Sequence, residues 1–168
     1  ADDRGLNLAD GVFETLRIED GKVALMGSHR DRLSRGLRLL AFSGPDAQAD
    51  RALNVAVNAL TMLLPVATGS LRVTVTRGSG PRGYAPPTHP KSRVISRFAH
   101  GLPLVAEPAQ AVISPVFWAE QPQFAGAKLL ARTEQVMALS MAKHAGYDDA
   151  VMTTADRRCI STASGNLF

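Results

Sequence analysis

Cysteine, tryptophan and tyrosine are scarce in this chain of 168 residues, with one, one and two copies, and aromatic residues make up only 5% of it. A single thiol, Cys159, cannot build a disulfide framework, which excludes the small disulfide-stapled folds and fits a reducing compartment such as the cytoplasm. No apolar run approaches the roughly 20 residues needed to span a bilayer, because Thr, Pro or Gly interrupts the longest ones. The first ten residues, ADDRGLNLAD, lack the apolar stretch of a signal peptide. Acidic residues are missing from one long segment: between Arg51 and Ala106 there are seven Lys or Arg and no Asp or Glu. Such a segment suits an anionic partner, or is simply a solvated basic face. Nucleic acid is a poor fit, since only Tyr84 and Phe98 in that segment could stack on bases. The four histidines are scattered and have no metal-ligand spacing, and no G-x-S-x-G nucleophile elbow occurs. What is present is ordinary for a globular protein: 45% hydrophobic residues, a net charge of +4 and a mean hydropathy of −0.01.

Periodicity gives the coarse layout. Residues 12–18 (VFETLRI) read as a strand, and Glu19-Asp20-Gly21-Lys22 as a hairpin turn into Val23-Ala24-Leu25. Ser28 with Asp31 three residues later has the form of a capping box, predicting a helix that continues through Leu33, Leu37 and Leu40. A second amphipathic helix is expected from Asp46 to Leu64, stopped by Pro65. Leu71, Val73 and Val75 alternate with Arg72, Thr74 and Thr76, the period of a half-buried strand. Residues 78–90 are rich in Gly and Pro and read as a loop; strands follow at 93–98 and 111–114. The Pro/Gly-rich region 101–108 is a candidate linker. A helix from about Arg132 to Ala145 ends at Gly146, and 150–154 with 159–161 forms a hairpin around Asp156-Arg157-Arg158. Hairpins mixed with helices favour an α+β fold. The expected division is a small N-terminal α+β domain over residues 1–104 and the start of a larger C-terminal α/β domain over 105–168.

Three features bear on chemistry. Gly78-Ser79-Gly80-Pro81-Arg82-Gly83 matches G-x-G-x-x-G, but Pro81, Pro86, Pro87 and Pro90 forbid the helix that a dinucleotide fingerprint needs. What remains is a mobile basic loop with Arg77, Arg82 and Tyr84, able to fold over an anionic substrate, or a plain surface loop. His29 and Arg32 share one face of a first helical turn, where a cation opposes the macrodipole unless an anion is bound there. An exposed basic helix, with Arg30, Arg35 and Arg38, explains the same residues. Lys128, between Gly126-Ala127 and Leu129-Leu130, is a candidate desolvated amine nucleophile or an ordinary solvated lysine.

Taken together, these blocks resemble the fold-type IV pyridoxal-phosphate enzymes: branched-chain aminotransferases, D-amino acid aminotransferases and 4-amino-4-deoxychorismate lyases. The resemblance covers essentially the whole chain. It rests on Asp3-Arg4-Gly5 with Asp10-Gly11-Val12-Phe13-Glu14-Thr15, on His29-x-x-Arg32-Leu33, and on Thr76-Arg77-Gly78-Ser79-Gly80-Pro81-Arg82-Gly83-Tyr84. It continues with Lys128-x-Leu130-x-Arg132-x-Glu134-Gln135-Val136 and Gly165-Asn166-Leu167-Phe168. The loop block and the lysine block look most like the aminodeoxychorismate lyases.

The resemblance implies a two-domain D-amino acid aminotransferase-like fold, a homodimer, and pyridoxal 5′-phosphate carried covalently on Lys128. It implies that Arg32 binds the cofactor phosphate and that Arg82 and Tyr84 contact a substrate carboxylate. The implied reaction converts 4-amino-4-deoxychorismate, a small anionic amino substrate, to 4-aminobenzoate and pyruvate for folate synthesis. The alternatives it leaves are a class IV aminotransferase for D- or branched-chain amino acids, and an inactive relative acting as an interaction module. Members of the family usually carry Glu, pairing with the cofactor's pyridine nitrogen, where this chain has Ser161. A hydroxyl there makes the ring a weaker electron sink, which disfavours transamination more than a lyase reaction driven by aromatisation. Members also continue past the position of Phe168 and begin with a strand ahead of Asp3, so the fold is expected to lack its C-terminal part here.

Overall fold

The structure, a computed structural model, describes residues 2–102 and 108–167. It forms two compact units: Ala1–Leu102 with Gln123–Leu130, and Pro103–Pro122 with Ala131–Phe168. The expected domain boundary at 104/105 and most of the candidate linker 101–108 lie outside the described residues, as does Phe168 of the last motif.

The first unit opens with a short helix, α1 (Arg4–Leu8), and is built on a sheet of β1 (Gly11–Glu19), β2 (Lys22–Val23), β3 (Gly69–Thr76) and β4 (Arg93–His100). The strand order is β2-β1-β3-β4, antiparallel throughout. The β1–β2 hairpin has the two-residue loop expected of Asp20-Gly21, both at positive φ (48° and 74°), which matches the twist of the flanking strands. Gly21 is required twice over, since a Cβ there would also meet the Pro65 carbonyl oxygen at 2.0 Å.

Two helices cover one face of this sheet: α2 (Met26–Leu39) and α3 (Pro45–Leu63). The predicted capping box at Ser28 does not form. The chain leaves β2 after Val23, Leu25 turns at φ 52°, and the His29 N–H reaches the Leu25 carbonyl, so the helix has started before Ser28. The hairpin geometry thus decides the helix start, and Leu25 caps it without a side-chain hydrogen bond. Leu33 and Leu37 from α2 and the small face Ala49, Ala52, Ala56 with Leu53 and Leu60 from α3 pack on Val12, Leu16, Ile18, Leu71, Val73 and Val75. Helix α3 begins with Pro45 in its first turn and ends just before Pro65, as its sequence requires.

In the second unit, β5 (Ala111–Ile113) pairs parallel with β6 (Asp149–Thr153), and β6 pairs antiparallel with β7 (Cys159–Thr162). Helix α4 (Thr133–His144) lies between β5 and β6 in the chain. It closes in a Schellman motif: Gly146 at φ 85° donates to Lys143, and Tyr147 donates to Ala142. Ala138, Ala142, Ala150 and Met152 form this unit's core. Among the described residues, no helix is long and apolar enough to cross a membrane.

Leu16 is fully buried at the centre of the first unit's sheet. Leu16→Ala should lower the free energy of unfolding by about 2–5 kcal/mol, read as a drop in the urea midpoint at constant m-value.

Candidate active site

The site begins where β1 does. Residues 128–130 run antiparallel to the start of β1, with Phe13 N–H donating to the Lys128 carbonyl (2.9 Å) and Leu130 N–H to that of Gly11 (3.1 Å). Gly11 permits this approach, because a Cβ on it would lie 2.3 Å from the Val75 carbonyl oxygen and 2.9 Å from Leu130 Cδ1. Backbone pairing therefore delivers Lys128 next to Phe13. The lysine is half-buried, with Nζ 5.2 Å from the centre of the Phe13 ring. The Arg72 guanidinium stacks on the same ring at 3.6 Å. Burial holds the Arg72 pKa below its ordinary value.

The next residue of β1, Glu14, points to the opposite face and is completely buried. A carboxylate removed from water must be paired. Glu14 accepts hydrogen bonds from Arg32 Nε (2.6 Å) and Nη2 (2.5 Å), a bidentate fork, and its Oε2 lies 2.8 Å from His29 Nδ1. These bonds raise the Arg32 pKa against the opposing effect of its partial burial. The anion expected beside His29 and Arg32 is thus supplied, in this structure, by the chain's own Glu14. The Arg32 side chain remains 40% exposed, and its Nη1 stands outside the fork.

A second cluster organises the loop after β3. Asp3 caps α1 through Oδ1, and its Oδ2 accepts from Thr76 Oγ1 and Arg93 Nη1. Asp10 is shared by Arg4 Nε (2.8 Å) and Arg77 Nε (2.9 Å). Burial disfavours ionisation of Asp10, but the hydrogen bonds from Arg77 and Arg4 outweigh it and hold the carboxyl below its usual range. The Arg4 guanidinium also reaches the carbonyls of Gly83, Tyr84 and Ala85. The side chains of Arg82 and Tyr84 on that loop are exposed. The loop expected to be mobile is tied down by its main chain.

In the second unit, Ser161 lies on β7 opposite Met152 and is half-buried. Arg132 sits 5.8 Å from the centre of the Trp118 ring. Gln135 is buried, and its Oε1 has no partner among the described residues. Among the described residues, no cluster of His, Cys, Asp and Glu could hold a metal.

Of the residues singled out from sequence, Lys128 and Arg32 are brought to neighbouring positions of β1, Phe13 and Glu14. Arg82 and Tyr84 share the loop held by Arg4, and Ser161 belongs to the other unit. Glu14, Arg4, Asp10 and Arg72 acquire roles that sequence reasoning did not assign. Glu14 had a visible signal: it occupies the inward phase of the alternation Val12, Glu14, Leu16, Ile18, a carboxylate among core positions.

A family model described as amino-transferase class IV matches residues 11–168. Aminodeoxychorismate lyase from Vibrio harveyi is 29% identical over 170 residues, covering 99% of this chain and 61% of that protein. The crystal structure of 4-amino-4-deoxychorismate lyase from Pseudomonas aeruginosa superimposes with a TM-score of 0.82 at 33% identity, covering 98% of this chain and 60% of that one. A bifunctional aminodeoxychorismate lyase/D-amino acid transaminase from Mycobacterium tuberculosis is 34% identical over 109 residues, covering 61% of this chain and 37% of that protein. The chain spans about 60% of the length of the two lyases.

The depressed pKa of Asp10 makes a stability prediction with a definite sign. Its contribution is complete above the unfolded carboxyl pKa near 3.8 and is lost as the pH falls through the lower folded value. Asp10→Asn should therefore be less stable than the parent at pH 6, with the difference shrinking below pH 4 in urea titrations at each pH.

Proposed function

The chain belongs to the amino-transferase class IV family, and from that premise we propose that it is a pyridoxal-phosphate-dependent lyase that converts 4-amino-4-deoxychorismate to 4-aminobenzoate and pyruvate. The observation that carries this reading is the extent of the likeness to lyases. In sequence, aminodeoxychorismate lyase from Vibrio harveyi aligns with 99% of the chain and D-alanine aminotransferase from Staphylococcus epidermidis with 58%. Among solved structures the Pseudomonas aeruginosa lyase is 33% identical, whereas the Escherichia coli branched-chain aminotransferase, which covers 97% of the chain, is 18% identical. A homodimer is part of the same proposal.

The donor set fits the cofactor. Lys128 offers an amine against an aromatic ring in a half-buried position, suited to covalent attachment of an aldehyde. Arg32 offers a cation whose orientation Glu14 has already set, with Nη1 outside the fork for a phosphate oxygen. The solved structure of a hypothetical Mycobacterium tuberculosis aminotransferase in a pyridoxal-phosphate-bound form, 25% identical with a TM-score of 0.72, supports the choice of cofactor. When bound, pyridoxal phosphate supplies an aldehyde that condenses with amines and a ring that withdraws electrons from the bond to be broken.

The residues of this chain then have separate tasks. Lys128 Nζ takes the proton from the ring carbon that bears the substrate amine and delivers a proton to the departing enol-pyruvyl oxygen. The ring carbon–oxygen bond breaks in the same reaction, and aromatisation of the product ring favours it. Arg82 and Tyr84 hold a substrate carboxylate. Ser161, in the place of the family's Glu, leaves the cofactor ring a weaker electron sink, which suits this reaction better than transamination.

A second reading, transamination of D-amino acids, is favoured by the bifunctional Mycobacterium tuberculosis relative. Incubation with 4-amino-4-deoxychorismate should release 4-aminobenzoate and pyruvate in equal amounts without a keto-acid acceptor; transfer of the amino group from D-alanine to 2-oxoglutarate with no such release would establish the second reading instead.

Two substitutions test the residue roles. Lys128→Ala should remove the visible absorption band formed with pyridoxal phosphate and lower turnover by more than about 10³-fold; a band that borohydride still bleaches would overturn the assignment. Ser161→Glu should raise transamination of D-alanine, and an unchanged rate would end the electron-sink argument.

A further inference from the structure

The loop that carries Arg82 and Tyr84 projects both side chains into solvent, with Tyr84 87% exposed, yet its main chain is held from beneath. Arg4 is 5% exposed and directs its guanidinium at three successive carbonyls: Nη1 to Gly83 (3.3 Å) and Ala85 (3.0 Å), and Nη2 to Tyr84 (2.7 Å). Its third nitrogen, Nε, is fixed by Asp10, which Arg77 also binds. The main chain of Arg4 holds the beginning of the same loop, donating to the Gly78 carbonyl at 2.8 Å. The loop packs on the arginine stem so closely that a Cβ on Gly80 would lie 2.7 Å from Arg4 Cδ. A guanidinium is suited to this work, because its planar fork presents donors from three nitrogens in fixed directions, whereas an ammonium's three donors radiate from one rotating nitrogen.

We propose that Arg4 is a positioning residue for substrate recognition: it fixes the backbone of Gly83, Tyr84 and Ala85 so that Arg82 and Tyr84 meet a carboxylate in a preset geometry. The inference rests on the reading of Arg82 and Tyr84 as substrate-contacting residues. Its energetic basis is preorganisation, since a loop ordered before binding loses less entropy when the ligand arrives. Asp10 completes the device by balancing the buried charge of Arg4, with Arg77 anchoring the carboxylate from the other side.

The test is a double-substitution cycle on the protein loaded with pyridoxal phosphate, using 4-aminobenzoate as the carboxylate probe in calorimetry and 4-amino-4-deoxychorismate in kinetics. Arg4→Lys keeps the charge facing Asp10 but cannot reach three carbonyls. It should weaken 4-aminobenzoate binding and raise KM on the order of tenfold, with kcat within about threefold and the visible cofactor band unchanged. Combined with Arg82→Ala, it should add little to the loss caused by Arg82→Ala alone, because both remove the same contact. Gly80→Ala, which displaces Arg4 without altering its charge, should reproduce the effect. Hydrogen exchange of the loop amides should accelerate in both variants. Faster exchange with unchanged KM and probe affinity would overturn the proposal, as would losses that add fully to those of Arg82→Ala. If the parent protein binds no 4-aminobenzoate and releases none from 4-amino-4-deoxychorismate, the lyase reading itself fails and this inference falls with it; normal parent activity with an inert Arg4→Lys variant rejects the inference alone.

Discussion

A carboxylate with no solvent exposure, Glu14, sits among the apolar side chains of β1, and the arrangement of the first unit depends on how it is satisfied. Left alone it would be costly to bury, so α2 must present Arg32 and His29 to it. The same pairing orients the arginine that the proposed chemistry assigns to a phosphate. One residue earlier in the strand, Phe13 N–H binds the Lys128 carbonyl and the Phe13 ring lies beside the lysine amine. Two adjacent residues of one strand thus organise the amine and the guanidinium from opposite faces of the sheet.

The basic segment from Arg51 to Ala106 takes on a different meaning in three dimensions. Part of its charge is paired with carboxylates from the first ten residues: Arg77 with Asp10, which Arg4 shares, and Arg93 with Asp2 and Asp3. Arg51, Arg72, Arg82, Lys91 and Arg97 stand outside those pairs, and Arg72 lies with Lys128 on the Phe13 ring. The excess of positive charge available to an anionic ligand is therefore smaller than the linear count suggests, and more localised.

Local sequence signals specify the structure where local physics decides the outcome. The alternation of Leu71, Val73 and Val75, the Asp20-Gly21 turn, Pro65 beyond the end of α3, and Gly146 after α4 all appear in the structure as their chemistry requires. The start of α2 departs from the expected capping box because Leu25, a residue disfavoured in the left-handed region, takes that conformation to carry the chain out of the hairpin. The loop at 78–90 is legible from its glycines and prolines, but the hold on its 83–85 carbonyls is not, since the residue that binds them lies some 80 positions away at Arg4.

The sequence by itself determined the elements, the fold class and, through motifs in order, the family: hydrophobic period, turn residues and residue spacing are short-range properties that survive in a linear string. Only the tertiary structure decided which charges meet. The Glu14–Arg32–His29 cluster, the sharing of Asp10 by Arg4 and Arg77, and the seating of Lys128 and Arg72 on one aromatic ring join residues separated by up to 115 positions. Such pairings are fixed by the need to satisfy buried polar groups once the sheet and helices have packed, and spacing along the chain carries no record of that need.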